Sequence, residues 1–191
     1  MAEIKIRPIK KDDIVPLGHI ISDTWGFGES FSEKPAFRMG KLYLAQSLNE
    51  SNFCRVAEID GEVSGLITAR ADKLKRGSIK VKLFLIKSFI PVLFNTEALG
   101  ASKILKDIEA LNKRLYKASG KDFSGEIPLF VMKDSARGKG VGGRLYGEAL
   151  EFMKANGTKE FFIYTDTTCD YGFYDHKGAK RLSQEDLLIP L

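Results

Sequence analysis

At 191 residues, with 43% hydrophobic and 29% charged residues, the chain suits one folded core rather than a disordered segment. A net charge of +5 is a mild excess spread along the chain, compatible with an anionic ligand without dictating one. Two cysteines and two histidines are too few for a disulfide framework or a zinc site.

No run supplies the roughly 20 uncharged apolar residues of a bilayer span. The richest, "VKLFLIKSFIPVLF" (81–94), is interrupted by Lys82, Lys87 and Pro91. The opening "MAEIKIRPIKKDD" is charged throughout and lacks an apolar signal core. A cytoplasmic protein with no membrane partner is expected. No long Lys/Arg block and no aromatic–basic repeat is present, so no nucleic-acid partner is expected either.

In chain order, "EIKIRP" (3–8) alternates as a strand, and Asp12 or Asp13 can cap a helix running to about Ser22. "DTWGFGESFSEKP" (23–35) reads as glycine-punctuated loop, and 36–51 has helical spacing through Phe37, Leu44 and Leu48. Residues 53–71 read as two strands around Asp60-Gly61, a hairpin signal. Segment 72–124 breaks this rhythm. Its first part starts in alternation and turns helical, and 96–119 is a helix with a stripe of Leu99, Ile104, Ile108, Leu111 and Leu115. Packing is the simplest use of that stripe; a lid or a homodimer surface is the functional alternative.

"EIPLFVM" (126–132) has strand length and Pro128 marks an edge or a bulge in it. Glycines follow, then a helix whose Val141, Leu145, Ala149, Phe152 and Met153 share a face. A strand over 160–165, a short helix over 169–178 closed by Gly178, and a final strand from residue 180 complete the chain. The fold class is α/β in one domain over 1–191.

"KDSARGKGVGGRL" (133–145) carries four glycines in six positions at the mouth of a helix, where unpaired amides form an anion site. A P-loop needs Lys-Ser or Lys-Thr after the last glycine, and Gly142-Gly143-Arg144 supplies neither. The dinucleotide fingerprint is formally met by Gly138, Gly140 and Gly143, with Asp166 as a ribose-binding acid. Only 25 residues follow Asp166, too few for the second half of a doubly wound sheet.

Arg137-x-x-Gly140-x-Gly142 resembles the signature of the GNAT superfamily, the acyl-CoA-dependent N-acyltransferases. The resemblance covers 1–71 loosely and 123–181 well, with 72–124 standing as an insertion. It implies a mixed, mostly antiparallel sheet flanked by helices, acetyl-CoA as donor, no metal, and a small-molecule or protein amine as acceptor. Arg137, Gly138, Lys139, Gly140, Val141, Gly142 and Gly143 would then bind the pyrophosphate, with Phe130 and Met132 pairing with pantetheine. The bulge would free the Phe130 N–H for the thioester carbonyl. Thr167 stands where many members carry an asparagine.

"FYDHKGA" resembles the block whose tyrosine protonates the leaving thiolate, which makes Tyr174 the acid; Ala179 departs from that block's aromatic. Glu126 stands eleven residues before Arg137, the separation of the glutamate in family members that use one, so the resemblance makes it the base. Each has a plainer use, as core aromatic and solvated strand end. Cys169 with His176 as a nucleophile pair lacks an orienting group, so a buried thiol and a surface imidazole are expected. Trp25 and Phe27 could meet the acceptor or simply pack. A non-catalytic CoA-binding or sensing module is the rival reading, and an NAD(P)-dependent oxidoreductase a distant third.

Overall fold

A computed structural model describes residues 2–167 and 169–186, without the side chains of 98–106. Its centre is a five-stranded sheet in the order β1-β2-β3-β4-β5. The strands are β1 (Ile4–Arg7), β2 (Phe53–Ile59), β3 (Glu62–Ala71), β4 (Gly125–Met132) and β5 (Phe161–Phe162). The first four pair antiparallel, and β4 and β5 run parallel. The β2–β3 hairpin turns on Asp60 and Gly61, both at positive φ (50° and 84°), as the Asp-Gly pair requires.

Helices cover both faces. On one side α1 (Ile14–Thr24) and α3 (Glu33–Glu50) pack Leu17, Ile21 and Leu44 onto Val56, Leu66, Leu129 and Val131. On the other, α6 (Val141–Ala155) sets Val141, Leu145, Ala149 and Met153 against Ala57, Ile67 and Ile127. The opposite placement of Ile127 and Leu129, two residues apart on β4, has a cause. The register of β3 and β4 slips between Thr68 and Arg70, so Ile127 and Pro128 together face Ala69. One extra residue inverts every later side chain, and it sends Phe130 and Met132 to the α6 side. The Pro128 bulge is therefore present.

Arg7 on β1 reaches Asp13 through two hydrogen bonds of 2.7 and 2.8 Å, and Glu58 through a third of 2.7 Å. Burial works against the Asp13 charge, but Arg7 and the Lys10 amide hold the carboxyl below its usual range. That stabilisation exists above the ordinary Asp range and is lost as pH falls through the lowered value. Asp13 stands at the N-cap of α1, yet its side chain makes no capping bond, contrary to expectation. The arginine takes it instead.

Other expectations change as well. Segment 23–35 is not all loop: α1 runs to Thr24, Gly26 turns the chain at φ 61°, and α2 (Phe27–Ser30) follows. Segment 72–124 forms α4 (Ile79–Leu93) and α5 (Thr96–Ala118). The alternating start of α4 makes no strand because Leu85, Ser88 and Val92 lie on one helical face, and the apolar ones pack against Met39 and Leu42 of α3. Of the α5 stripe, Ile108, Leu111 and Leu115 are half-buried, while Leu99 and Ile104 lie outside the described side chains.

The strand expected over 160–165 is only the pair Phe161–Phe162, because the ladder stops where β4 bulges. No strand forms over 180–186. That segment runs along α5 instead, with Ser183 Oγ donating to the Leu115 carbonyl (3.0 Å) and Arg114 paired with Glu185. Residues 187–191 lie outside the described part.

Candidate active site

Two features of β4 build the site. Its ladder with β5 holds only Gly125–Phe161 and Glu126–Phe162. From Ile127 to Met132 the edge of β4 that faces β5 therefore has no strand partner among the described residues. An extended chain with amide groups can pair there as a strand would.

The glycine loop closes one end of this slot. After a short 3-10 turn at Asp134–Ala136, Gly138 and Gly140 both adopt positive φ, 73° and 74°. Side chains other than glycine's resist that conformation. The first bond inside α6 runs from Arg144 N to the Gly140 carbonyl. The amides of Val141, Gly142 and Gly143 precede it and point out of the helix end with its partial positive charge. A Cβ on Gly142 would stand 3.3 Å from Met132 Sδ and 3.5 Å from Phe130 Cζ, so helix and strand touch here.

Arg137 leaves the turn in extended conformation and makes a 3.1 Å ion pair with Asp134 on the open surface. Next to the loop, a cavity of about 280 Å³ is lined by Ser64, Lys133, Ser135 and Lys139 together with Ile59, Asp60 and Glu62. The loop amides thus stand at one end of the unpaired strand edge, and the cavity beside them sets two lysines and two serines next to the carboxylates of Asp60 and Glu62.

Tyr174 sits on α7 (Tyr171–His176), whose first turn is capped by Asp170 accepting from Phe173 N at 3.2 Å. Its ring packs edge-on to Tyr146 of α6 and to Phe173. Burial, then the nearby Cys169 thiol, pushes the phenol above its ordinary range, so it stays protonated. Thr167 is exposed in the turn between β5 and α7.

Glu126 lies on the α1–α3 side of the sheet, before the bulge. Arg70 of β3 donates to it through Nη1, donates to Asp72 through Nε at 2.7 Å, and lies over the Phe162 ring at 6.0 Å. Burial nevertheless dominates and raises the Glu126 carboxyl, with Arg70 pulling the other way. Trp25 is tied to this region, its Nε1 donating to Asp166 Oδ2 at 2.9 Å and its ring 5.0 Å from Tyr43. Burial and the carboxylates of Asp166 and Glu50 push Tyr43 up to about 12.

Nothing in the sequence marked Arg70, Tyr43 and Asp166 as residues that would gather near Glu126 and Trp25. Only the register of β3 on β4 and the course of the chain after β5 bring them together. The insertion joins them: the Tyr164 hydroxyl donates to the Asn112 carbonyl of α5 (2.9 Å), and Tyr116 packs edge-on to Phe123 and Phe162.

Cys169 and His176 do not assemble a nucleophile. The thiol faces Asp166 at 3.7 Å and is pushed up by burial, while His176 Nδ1 donates to the Gly172 carbonyl. Among the described residues no group of three or more His, Cys, Asp or Glu is placed to hold a metal ion.

Residues 17–177 match the Acetyltransferase (GNAT) family as a whole. The chain belongs to the GNAT acetyltransferase family. Comparison with curated proteins finds no match. Solved structures share the fold at low identity. PH1933 from Pyrococcus horikoshii OT3 superposes with a TM-score of 0.63 at 16% identity, covering 96% of this chain and 93% of that one. The PaiA N-acetyltransferase from Thermoplasma acidophilum, in complex with coenzyme A, gives 0.53 at 18% identity, covering 96% and 93%. The aminoglycoside N-acetyltransferase AAC(6')-Iy with CoA gives 0.52 at 12% identity, covering 100% and 96%. The expected mixed, mostly antiparallel sheet of this family is the one observed.

Proposed function

We infer that this GNAT protein is one catalytic domain over 1–191 that transfers an acetyl group from acetyl-CoA directly to a primary amine. The observation that carries the reading is the slot between β4 and β5, ended by the unbonded amides of Val141, Gly142 and Gly143. Pantetheine would pair with Phe130 and Met132, the pyrophosphate would sit over Gly138–Gly143 beside Arg137 and Lys139, and Thr167 would touch the arm. The coenzyme bound in the PaiA and AAC(6')-Iy relatives supports this choice of donor.

In the reaction the amine arrives mostly as ammonium. Glu126 takes one proton, its raised carboxyl making it a better base than an exposed glutamate. The amine then attacks the thioester carbonyl, forming C–N, and the Phe130 N–H would hold the oxyanion. As the C–S bond breaks, Tyr174 gives its proton to the thiolate; the surplus proton on nitrogen returns to the Tyr174 phenolate through water, and Glu126 releases its proton to solvent. No bond to the enzyme forms; the raised Cys169 thiol agrees with that.

The acceptor enters from the Trp25, Tyr43 and Asp166 side, beneath α5. Saturating acetyl-CoA with a panel of small amines and lysine peptides tests the activity, with free CoA thiol as readout. Thiol release with at least one amine is expected. Release with none, from protein that binds the coenzyme, would leave the sensing module standing.

A further inference from the structure

The proposed reaction uses nothing on the outer side of α4. Of the ten large hydrophobic residues exposed among the described residues, eight lie between Leu74 and Phe94. Ile79, Leu83, Ile86, Ile90 and Leu93 alternate four and three apart, which draws one line along the helix. Ile79 is 70% exposed and Phe94, at the helix end, 86%. The opposite face, Leu85, Ser88 and Val92, is already spent on the contact with α3. The outer line leaves on the order of 600 Å² of apolar surface in water, the upper end for a soluble monomer.

The charges beside it have one sign. From Lys73 to Thr96 the chain holds six cations and no acid. Lys80 and Lys87 flank the apolar line on one side and Lys82 on the other, all exposed and none in an ion pair among the described residues. Between α3 and α4 a cleft of about 220 Å³ gathers Lys34, Arg38 and Lys41 with Lys87 and Ser88. Ser88 is 3% exposed, and its hydroxyl has no hydrogen-bond partner among the described residues. Cations around an unsatisfied donor form a set that suits a phosphate group.

An occupant of this face must be apolar along the helix and anionic at its flanks. A second copy would bring lysines toward lysines. An anionic bilayer meets both demands, since lysines beside an apolar stripe reach headgroups while the stripe enters the acyl boundary. We propose that α4 docks flat on an anionic lipid surface, its apolar line entering the acyl boundary and Lys80, Lys82 and Lys87 meeting the headgroups. Among the described residues no helix is long and apolar enough to cross a membrane. The helix lies on the bilayer, and the inference departs from the expectation of no membrane partner.

The test is co-sedimentation with vesicles of equal phosphatidylglycerol and phosphatidylcholine, against vesicles of phosphatidylcholine alone. Binding to the first and not the second is expected, weakened about tenfold or more between roughly 0.1 and 0.5 M salt. Leu83→Glu with Phe94→Glu should weaken it at least about tenfold, circular dichroism confirming the fold. Phe94→Glu alone, at the most exposed position, serves if the double variant misfolds.

Absence of binding to anionic vesicles overturns the proposal, as does equal binding by wild type and a folded variant. Light scattering covers a further outcome: a dimer that Phe94→Glu dissociates, with no vesicle binding, would assign the face to a second copy. Inorganic phosphate raising the melting temperature without vesicle binding would assign the cleft to a free anion. Either result overturns lipid docking.

Discussion

The half of the molecule that the proposed function gives to the donor and the half it gives to the acceptor are built by different means. On the donor side, β4, the glycine loop and α6 are contiguous over Gly125–Ala155, and the groups offered to the coenzyme are mostly main-chain amides. On the side proposed for the acceptor, Trp25, Tyr43, Arg70 and Asp166 come from four separate segments and meet Glu126 of β4 through side chains. A main-chain site needs small residues in special conformations, so a short local pattern marks it. A side-chain site can be rebuilt from other residues while the fold stays. The insertion belongs to the second kind, packing α5 on β5 through Tyr116 and Tyr164.

If that division is right, changes in one half should leave the other half's constants alone. The largest effect is expected at Tyr174, where the two halves meet. Tyr174→Phe should lower kcat by roughly 10² to 10⁴ and leave acetyl-CoA affinity within about twofold, as stopped-flow thiol release and calorimetry would show. An unchanged rate removes the phenol from the acid role.

Arg70→Met should act through Glu126. Arg70 counters the burial that raises this carboxyl, so its loss should raise it further. The rising limb of kcat/KM against pH should then move alkaline, with acetyl-CoA binding unaffected. The sign is firm: a base that holds its proton to higher pH becomes active at higher pH. Glu126→Gln should abolish that limb altogether.

The smallest effect is expected at Tyr164→Phe. It removes one hydrogen bond to the Asn112 carbonyl, worth about 1 kcal/mol of stability, measured by denaturant unfolding. If α5 walls the acceptor site, KM for the amine should rise while Kd for CoA stays put. A parallel rise in both would erase the division between the halves.

The same division explains what the sequence disclosed. Gly138, Gly140 and Gly142 mark the donor loop because two require positive φ and the third lets α6 touch Met132 and Phe130. Pro128 likewise announced a bulge, though not that the bulge would carry Phe130 and Met132 to the α6 face. Asp13 looked like a helix cap, but Arg7 lies near enough to claim it, and nothing local in the sequence reveals that contact. Segment 160–165 read as a strand longer than the two residues that pair, since its partner's bulge ends the ladder. Arg70 opposite Glu126 is a matter of register between strands more than fifty residues apart, beyond any local pattern.

The central claim is that the first amides of α6 hold the diphosphate of coenzyme A. Isothermal titration of CoA into the wild type and into Gly140→Val tests it directly, because a β-branched residue resists the φ of 74° found there. The account predicts saturable binding to the wild type and a loss of roughly 100-fold or more in the folded variant. No heat with the wild type, or equal affinity in both, would contradict it.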